Sequence, residues 1–279
     1  MTRELRCDDI LITGLPRSGT TLTCHLLNKL SDAVALNEPM KVGELFSQSP
    51  EAIIRAVKSF FADQRAQILD AGTAVSKVVD GAVPDNQRGD VADGEARPDL
   101  TNGRTLEIGN LTGIDFNLFI KHPAFFSACL PFLSREFACF ALVRNPFAVI
   151  LSWRNSGMPV AKGHSPAAER VDQALEKALA RESEVLERQF TLLDYYFSRF
   201  ADYVPERTIK YEDIISSSGK VLRALHPTAD ELSVNLQSRN RLAVKTDADA
   251  LRIGEKLLSR ENACWRFYDK KEVEALLRA

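Results

Sequence analysis

The stretch ILITGLPRSGTTLTCHLL, residues 10–27, decides the reading of this chain. An apolar, β-branched run ends in Gly14. Four residues separate it from Gly19, two hydroxyl residues follow, and an apolar run at helical spacing comes next, with Leu22, Leu26, Leu27 and Leu30 on one face. A buried strand, a glycine-bearing turn and a helix N-terminus in that order form an anion cradle, because the first helical N–H groups lack intrahelical partners and point at the turn. A loop that hydrolyses nucleoside triphosphates reads G-x-x-x-x-G-K-[ST], and its lysine reaches the terminal phosphates. Here Thr20 stands in the lysine position. The chain carries a phosphate cradle without the lysine of triphosphate chemistry.

Working outward, apolar strand-like runs alternate with helical ones. AVAL (33–36) reads as a second strand and residues 50–70 as a helix. Residues 80–105, rich in Gly, Asp and Pro, read as a long loop with or without a hairpin. NLFIKHP (117–123) ends another strand, with Pro123 opening a helix. FACFALVRNP (137–146) is a buried strand ending at Arg144. Residues 167–200 read as one long, partly solvent-facing helix with alternating charge signs. RTIKYEDI (207–214) is a last strand running into an acidic helix start. This alternation predicts an α/β fold: a central parallel sheet with helices on both faces, as a single domain over residues 1–279.

In such sheets ligands bind at the carboxyl ends of the strands. Polar residues stand at each predicted end: Arg17, Glu38, Lys121, Arg144 and Tyr211. That pattern suits a multiply anionic ligand facing one carboxylate.

The spacing resembles the sulfotransferase family that uses 3′-phosphoadenosine 5′-phosphosulfate, a family with a P-loop NTPase-like fold. PRSGTT (16–21) looks like its 5′-phosphosulfate loop. LVRNPFAVILS (142–152) looks like its 3′-phosphate motif, an Arg followed eight residues on by a Ser. LNEP (36–39) resembles the position where tyrosylprotein-type and several carbohydrate and bacterial members carry a catalytic Glu. IKHP (120–123) resembles the family's Lys-x-Pro, and IKYEDI (209–214) its YEDL-type segment. The matches run in the family's order from residue 10 to about 215. The resemblance implies donor binding by Arg17, Ser18, Gly19, Thr20, Thr21, Arg144, Ser152 and Tyr211. Ser238 and Lys245, within QSRNRLAVK (237–245), match a segment that closes over the donor. It also implies that Glu38 is the general base, that Lys121 and Arg17 stabilise developing charge, and that no metal is needed. Glu44 and Asp115 compete with Glu38 for the base. His122 reads first as a structural imidazole, and His164 as a residue near the substrate. The implied reaction moves a sulfuryl group to a hydroxyl, less readily an amine, of a small-molecule or carbohydrate acceptor. Residues 40–105 and 154–170 would line the acceptor site. The alternatives are a P-loop kinase or NTPase and a non-catalytic nucleotide-binding protein.

Composition narrows the partners. A formal net charge of −2 argues against a general nucleic-acid or membrane-surface binder and against a long polyanionic acceptor. The most apolar region, 137–151, is interrupted by Arg144, Asn145 and Pro146, so no membrane span is expected. The start, MTRELRCDD, has no apolar signal core. Five cysteines (Cys7, Cys24, Cys129, Cys139, Cys264) form no metal-ligand spacing, and they read as reduced, buried thiols of a cytoplasmic protein. Sequence leaves the oligomeric state open.

Overall fold

The structure is a computed structural model and describes residues 8–87, 99–238, 240 and 248–278. Strands β1 (Asp9–Gly14), β2 (Ala33–Asn37), β5 (Asn117–Lys121), β6 (Ala138–Val143) and β7 (Thr208–Lys210) build a parallel sheet in the order β2-β5-β1-β6-β7. Strands β3 (Thr73–Val78) and β4 (Gly103–Glu107), inserted along the chain between β2 and β5, pair antiparallel as a separate hairpin. Every residue of β2 and β5 is buried, as expected for parallel strands covered on both faces.

The helices follow from local signals. Helix α1 (Thr20–Leu27) starts at Gly19. Helix α2 (Pro50–Ala71) has Ser49 accepting from Ala52 N–H and Pro50 at its first position, and it stops at Gly72 in the left-handed region. Helix α3 (Pro123–Glu136) and helix α4 (Pro146–Arg154) each open on proline two or three residues past a strand. The chain runs from β1 out to β2 and back to β5 and β6, and with the right-handed crossovers that parallel strands adopt this order sets α1 on one face and α2 and α3 on the other.

The stretch expected as one helix over 167–200 is three: α5 (Pro166–Val171), α6 (Gln173–Ala180) and α7 (Val185–Tyr203). Asp172 makes the first break, because its carboxylate accepts from Ala174 and Leu175 N–H and starts a new helix. Helix α7 is partly solvent-facing, as expected, with one face turned to the core. It buries Phe190, Leu193, Tyr196, Phe197 and Phe200 and packs against α3. Its charges occupy the opposite face and hide the apolar stripe in a plain reading of charge signs. The loop expected over 80–105 ends in β4, and its partner β3 precedes it. The chain continues through α8 (Tyr211–Ser216), α9 (Ala248–Leu258) and α10 (Lys270–Arg278). Among the described residues no helix is long and apolar enough to cross a membrane.

Candidate functional site

The sheet register gathers the site. Lys121 pairs with Ile12 on one side and Asn37 on the other. The five strand ends therefore carry the glycine loop, Glu38, Lys121, Arg144 and Tyr211 along one edge.

The loop between β1 and α1 is tightly held. A Cβ on Gly14 would lie 2.4 Å from the Leu142 carbonyl, and one on Gly19 would lie 2.8 Å from the Tyr211 ring. Only glycine permits these approaches. Trp153 Nε1 donates to the Pro16 carbonyl at 2.8 Å. Gly19, at φ 88°, starts α1 with no side-chain cap and no acidic residue in the first turn. The positive end of the helix is thus left to an anion. Ser18 N–H is engaged with the Leu15 carbonyl, so the cradle's backbone donors begin after it. Ser18 Oγ is fully buried and finds no hydrogen-bond partner among the described residues. A buried hydroxyl left unpaired is costly, and one at a loop of this kind points to a ligand atom.

Among the described residues, Arg17 and Glu38 are two of five non-glycine residues with positive φ, at 73° and 48°. Long side chains in that region cost roughly 1–2 kcal/mol each, and such strain concentrates at functional sites. Arg17 Nε donates to Ser152 Oγ at 3.3 Å, and Nη1 reaches Asn86 Oδ1 at 3.5 Å. Arg144 donates from Nη1 to the Arg17 carbonyl at 3.1 Å, and its guanidinium lies 4.8 Å from the centre of the Tyr211 ring. Arg17, Gly19, Thr20, Thr21, Arg144, Ser152, Tyr211 and Ser238 all line one cavity of about 660 Å³, together with Asp85, Asn86 and Asn235. Lys245 lies outside the described residues, as does Cys7.

Glu38 and Lys121 form a second cluster joined to the first through Thr21. Lys121, only 2% exposed, donates to Asn37 Oδ1 at 2.9 Å, to Glu38 Oε1 at 3.0 Å and to Thr21 Oγ1 at 3.4 Å. The other Glu38 oxygen takes Lys77 Nζ at 2.5 Å. Burial alone would raise the Glu38 pKa, but the Lys121 and Lys77 charges outweigh it and hold the carboxyl well below the usual carboxylate range. His122 is buried, and burial pushes its pKa down to about 3 against the pull of Glu38. Its Nε2 accepts from Met40 N–H at 3.0 Å, a role only the neutral ring can fill. His122 therefore anchors the chain just past Glu38 and is not a free base. His164 instead meets Glu169, with Nδ1 3.2 Å from the carboxylate.

Sequence reasoning missed Lys77, Asn86 and Asn240. Lys77 and Asn86 come from the hairpin insertion, which docks on β2 through Ser76 Oγ accepting from Asn37 N–H at 2.9 Å. Burial alternates along TAVSKV, with Ala74, Ser76 and Val78 inward, but the residue types do not alternate with it, since an inward position is a serine and Val75 faces outward; the β-branched Thr73, Val75 and Val78 were the available signal for that strand. Among the described residues no group of His, Cys, Asp and Glu is arranged to hold a metal ion. No family model matches the chain, and no curated protein matches it.

Proposed function

We propose that the protein is a sulfotransferase of P-loop type. It would move a sulfuryl group from 3′-phosphoadenosine 5′-phosphosulfate to a hydroxyl of a small-molecule or carbohydrate acceptor. The observation that carries this reading is the shared cavity. A lysine-less phosphate loop and a second arginine, Arg144, from the neighbouring strand end face the same space, beside a carboxylate–lysine pair. Two separate cationic stations suit a nucleotide with phosphates at both its 5′ and 3′ ends. The unpaired Ser18 hydroxyl and the uncapped start of α1 fit an anion at the first station.

On this reading Arg17, Ser18, Gly19, Thr20 and Thr21 hold the 5′ group, Arg144 and Ser152 hold the 3′-phosphate, and Tyr211 and Ser238 wall the nucleotide. When bound, the donor supplies a sulfuryl group activated by a phosphate leaving group. Glu38 accepts the acceptor's proton, a role worth roughly 10²–10⁴ in rate. Its two oxygens each accept one lysine, and a carboxylate has about four lone-pair sites, so capacity remains for a third donor. Lys121 and Arg17 supply positive charge for an oxygen that becomes negative. Four described cysteines are buried and free, which fits the cytoplasmic setting this reading adopts.

Calorimetry with 3′,5′-diphosphoadenosine and AMP tests the assignment. The extra charge-assisted contact is worth about 1.5–3 kcal/mol, so the diphosphate should bind roughly ten- to a hundredfold more tightly. EDTA should leave that binding unchanged. Equal affinities would remove the 3′-phosphate assignment, and an obligatory divalent ion would favour a kinase or NTPase. Transfer of labelled sulfate to a panel of hydroxyl acceptors separates an enzyme from a non-catalytic nucleotide binder.

A further inference from the structure

Resting on that donor reading, the surroundings of Arg144 raise the question of what aims its guanidinium. Nε donates to Asn240 Oδ1 at 2.7 Å. Asn240 Nδ2 donates in turn to Glu212 Oε1 at 2.9 Å. The same carboxylate oxygen accepts Asn145 N–H at 2.9 Å, and Oε2 accepts the Tyr268 hydroxyl at 2.8 Å. Tyr268 is buried, and Lys210 Nζ lies 4.4 Å from the centre of its ring. One carboxylate thus ties together the end of β6, the first turn of α8, residue 240 and the C-terminal region. Tyr211, which precedes Glu212, supplies the ring beneath Arg144.

Glu212 reaches Arg144 here through a neutral amide. A carboxylate at the position of Asn240 Oδ1 would accept the same hydrogen bond but would neutralise the guanidinium and compete with an anionic ligand. An amide oxygen holds the plane of the arginine and leaves its charge in place. Because the amide's own NH₂ is fixed by Glu212, its oxygen faces the arginine and cannot be exchanged for the nitrogen without losing both bonds.

We infer that Asn240 and Glu212 are positioning residues that determine selectivity for the 3′-phosphate: Glu212 orients Asn240, and Asn240 orients Arg144 without discharging it. Neither residue needs to touch the nucleotide for this effect.

The test compares 3′,5′-diphosphoadenosine and AMP by calorimetry on the wild type and on Asn240→Asp, Asn240→Ala and Glu212→Gln, with thermal melting recorded for each. Asn240→Asp should weaken the diphosphate by about ten- to a hundredfold while AMP stays within about threefold, because only the diphosphate meets the neutralised arginine. Asn240→Ala and Glu212→Gln should each reduce the diphosphate-to-AMP ratio by about three- to tenfold, the loss of orientation without added charge. A merely structural role would weaken both nucleotides alike, in step with the melting temperature, and that outcome overturns the inference. So does a wild-type ratio in Asn240→Asp. If that variant does not fold, the ratios in the other two decide by the same criterion. A wild type that binds the two nucleotides equally refutes the donor reading itself, a result distinct from unchanged selectivity in the variants.

Discussion

Lys77 Nζ lies 2.5 Å from Glu38 Oε2, while Lys121 occupies the other carboxylate oxygen. The two lysines are not equivalent. Lys121 is buried and bonded to three side chains, whereas Lys77 is about a quarter exposed and comes from the hairpin. Lys121 belongs to the sheet's own architecture. Lys77 is an added counterion that lowers the basicity of Glu38. Lys77→Met should therefore cost about 1–3 kcal/mol of stability, between the values for exposed and buried pairs. It should also raise the pKa of Glu38. Chemical denaturation checks the first effect, and the carboxyl ¹³C shift of Glu38, assigned with Glu38→Gln, checks the second. An unchanged Glu38 titration would remove Lys77 from this role.

Glu38→Gln separates chemistry from binding. On the proposed function it keeps the shape of the side chain and removes the proposed proton acceptor, so turnover should fall by about 10²–10⁴. Affinity for 3′,5′-diphosphoadenosine should hold or improve slightly, since a negative charge near an anion has gone. Near wild-type turnover would send the search for the base elsewhere. Lost nucleotide binding would make the residue structural.

Arg17→Ala should behave differently. Arg17 lines the cavity and donates to Ser152, another of its lining residues. On the proposed function it would contact ground state and transition state alike, so nucleotide affinity should drop along with turnover, the latter by about 10²–10³. Full retention of diphosphate affinity in this variant would place the phosphosulfate contact outside the loop.

Gly19→Ala should abolish nucleotide binding while leaving the sheet folded. The new methyl would meet the Tyr211 ring at 2.8 Å, at a φ of 88° that alanine rarely adopts. Relief requires the loop to open or Tyr211 to leave Arg144. Circular dichroism and calorimetry on the same sample read the two expectations separately, and normal affinity would show that the loop tolerates the change.

Acid should destabilise the protein through two groups near the site. His122 in the folded chain titrates at about 3, while an unfolded histidine titrates at about 6.5. Its contribution is complete above about pH 6.5 and is lost as pH falls toward 3. Glu38, whose folded pKa is depressed by the two lysines, adds a loss of the same sign below about pH 4.3, the unfolded value. The melting temperature should fall from pH 7 to pH 4, and His122→Gln should flatten the upper part of that fall. A melting temperature that stays level or rises over this range would contradict the buried neutral state of His122.

Several elements were readable because their signals are local. A β-branched run, a glycine at a sharp approach, or a proline two or three residues past a strand states its structure within a few residues. For that reason β1, β2, β5, β6 and β7, the glycine loop and the starts of α3 and α4 stand where the pattern puts them. The residues at those strand ends were legible too, since parallel strands bring their carboxyl ends to one edge whatever their order. The break at Asp172 was not read, because an N-cap inside a helical pattern looks like one more surface carboxylate until its N–H partners are known. Tertiary structure alone decided which side chains meet. Lys77 is 39 residues from Glu38, and Asn240 is 96 from Arg144. The strand order that sets β5 between β1 and β2, and the docking of the hairpin on Asn37, supply the first meeting. The anchoring of Glu212 by Tyr268 supplies the second. Hydrogen bonds across such separations leave no periodicity in the chain. They depend on register and packing, which act through space and not along the sequence.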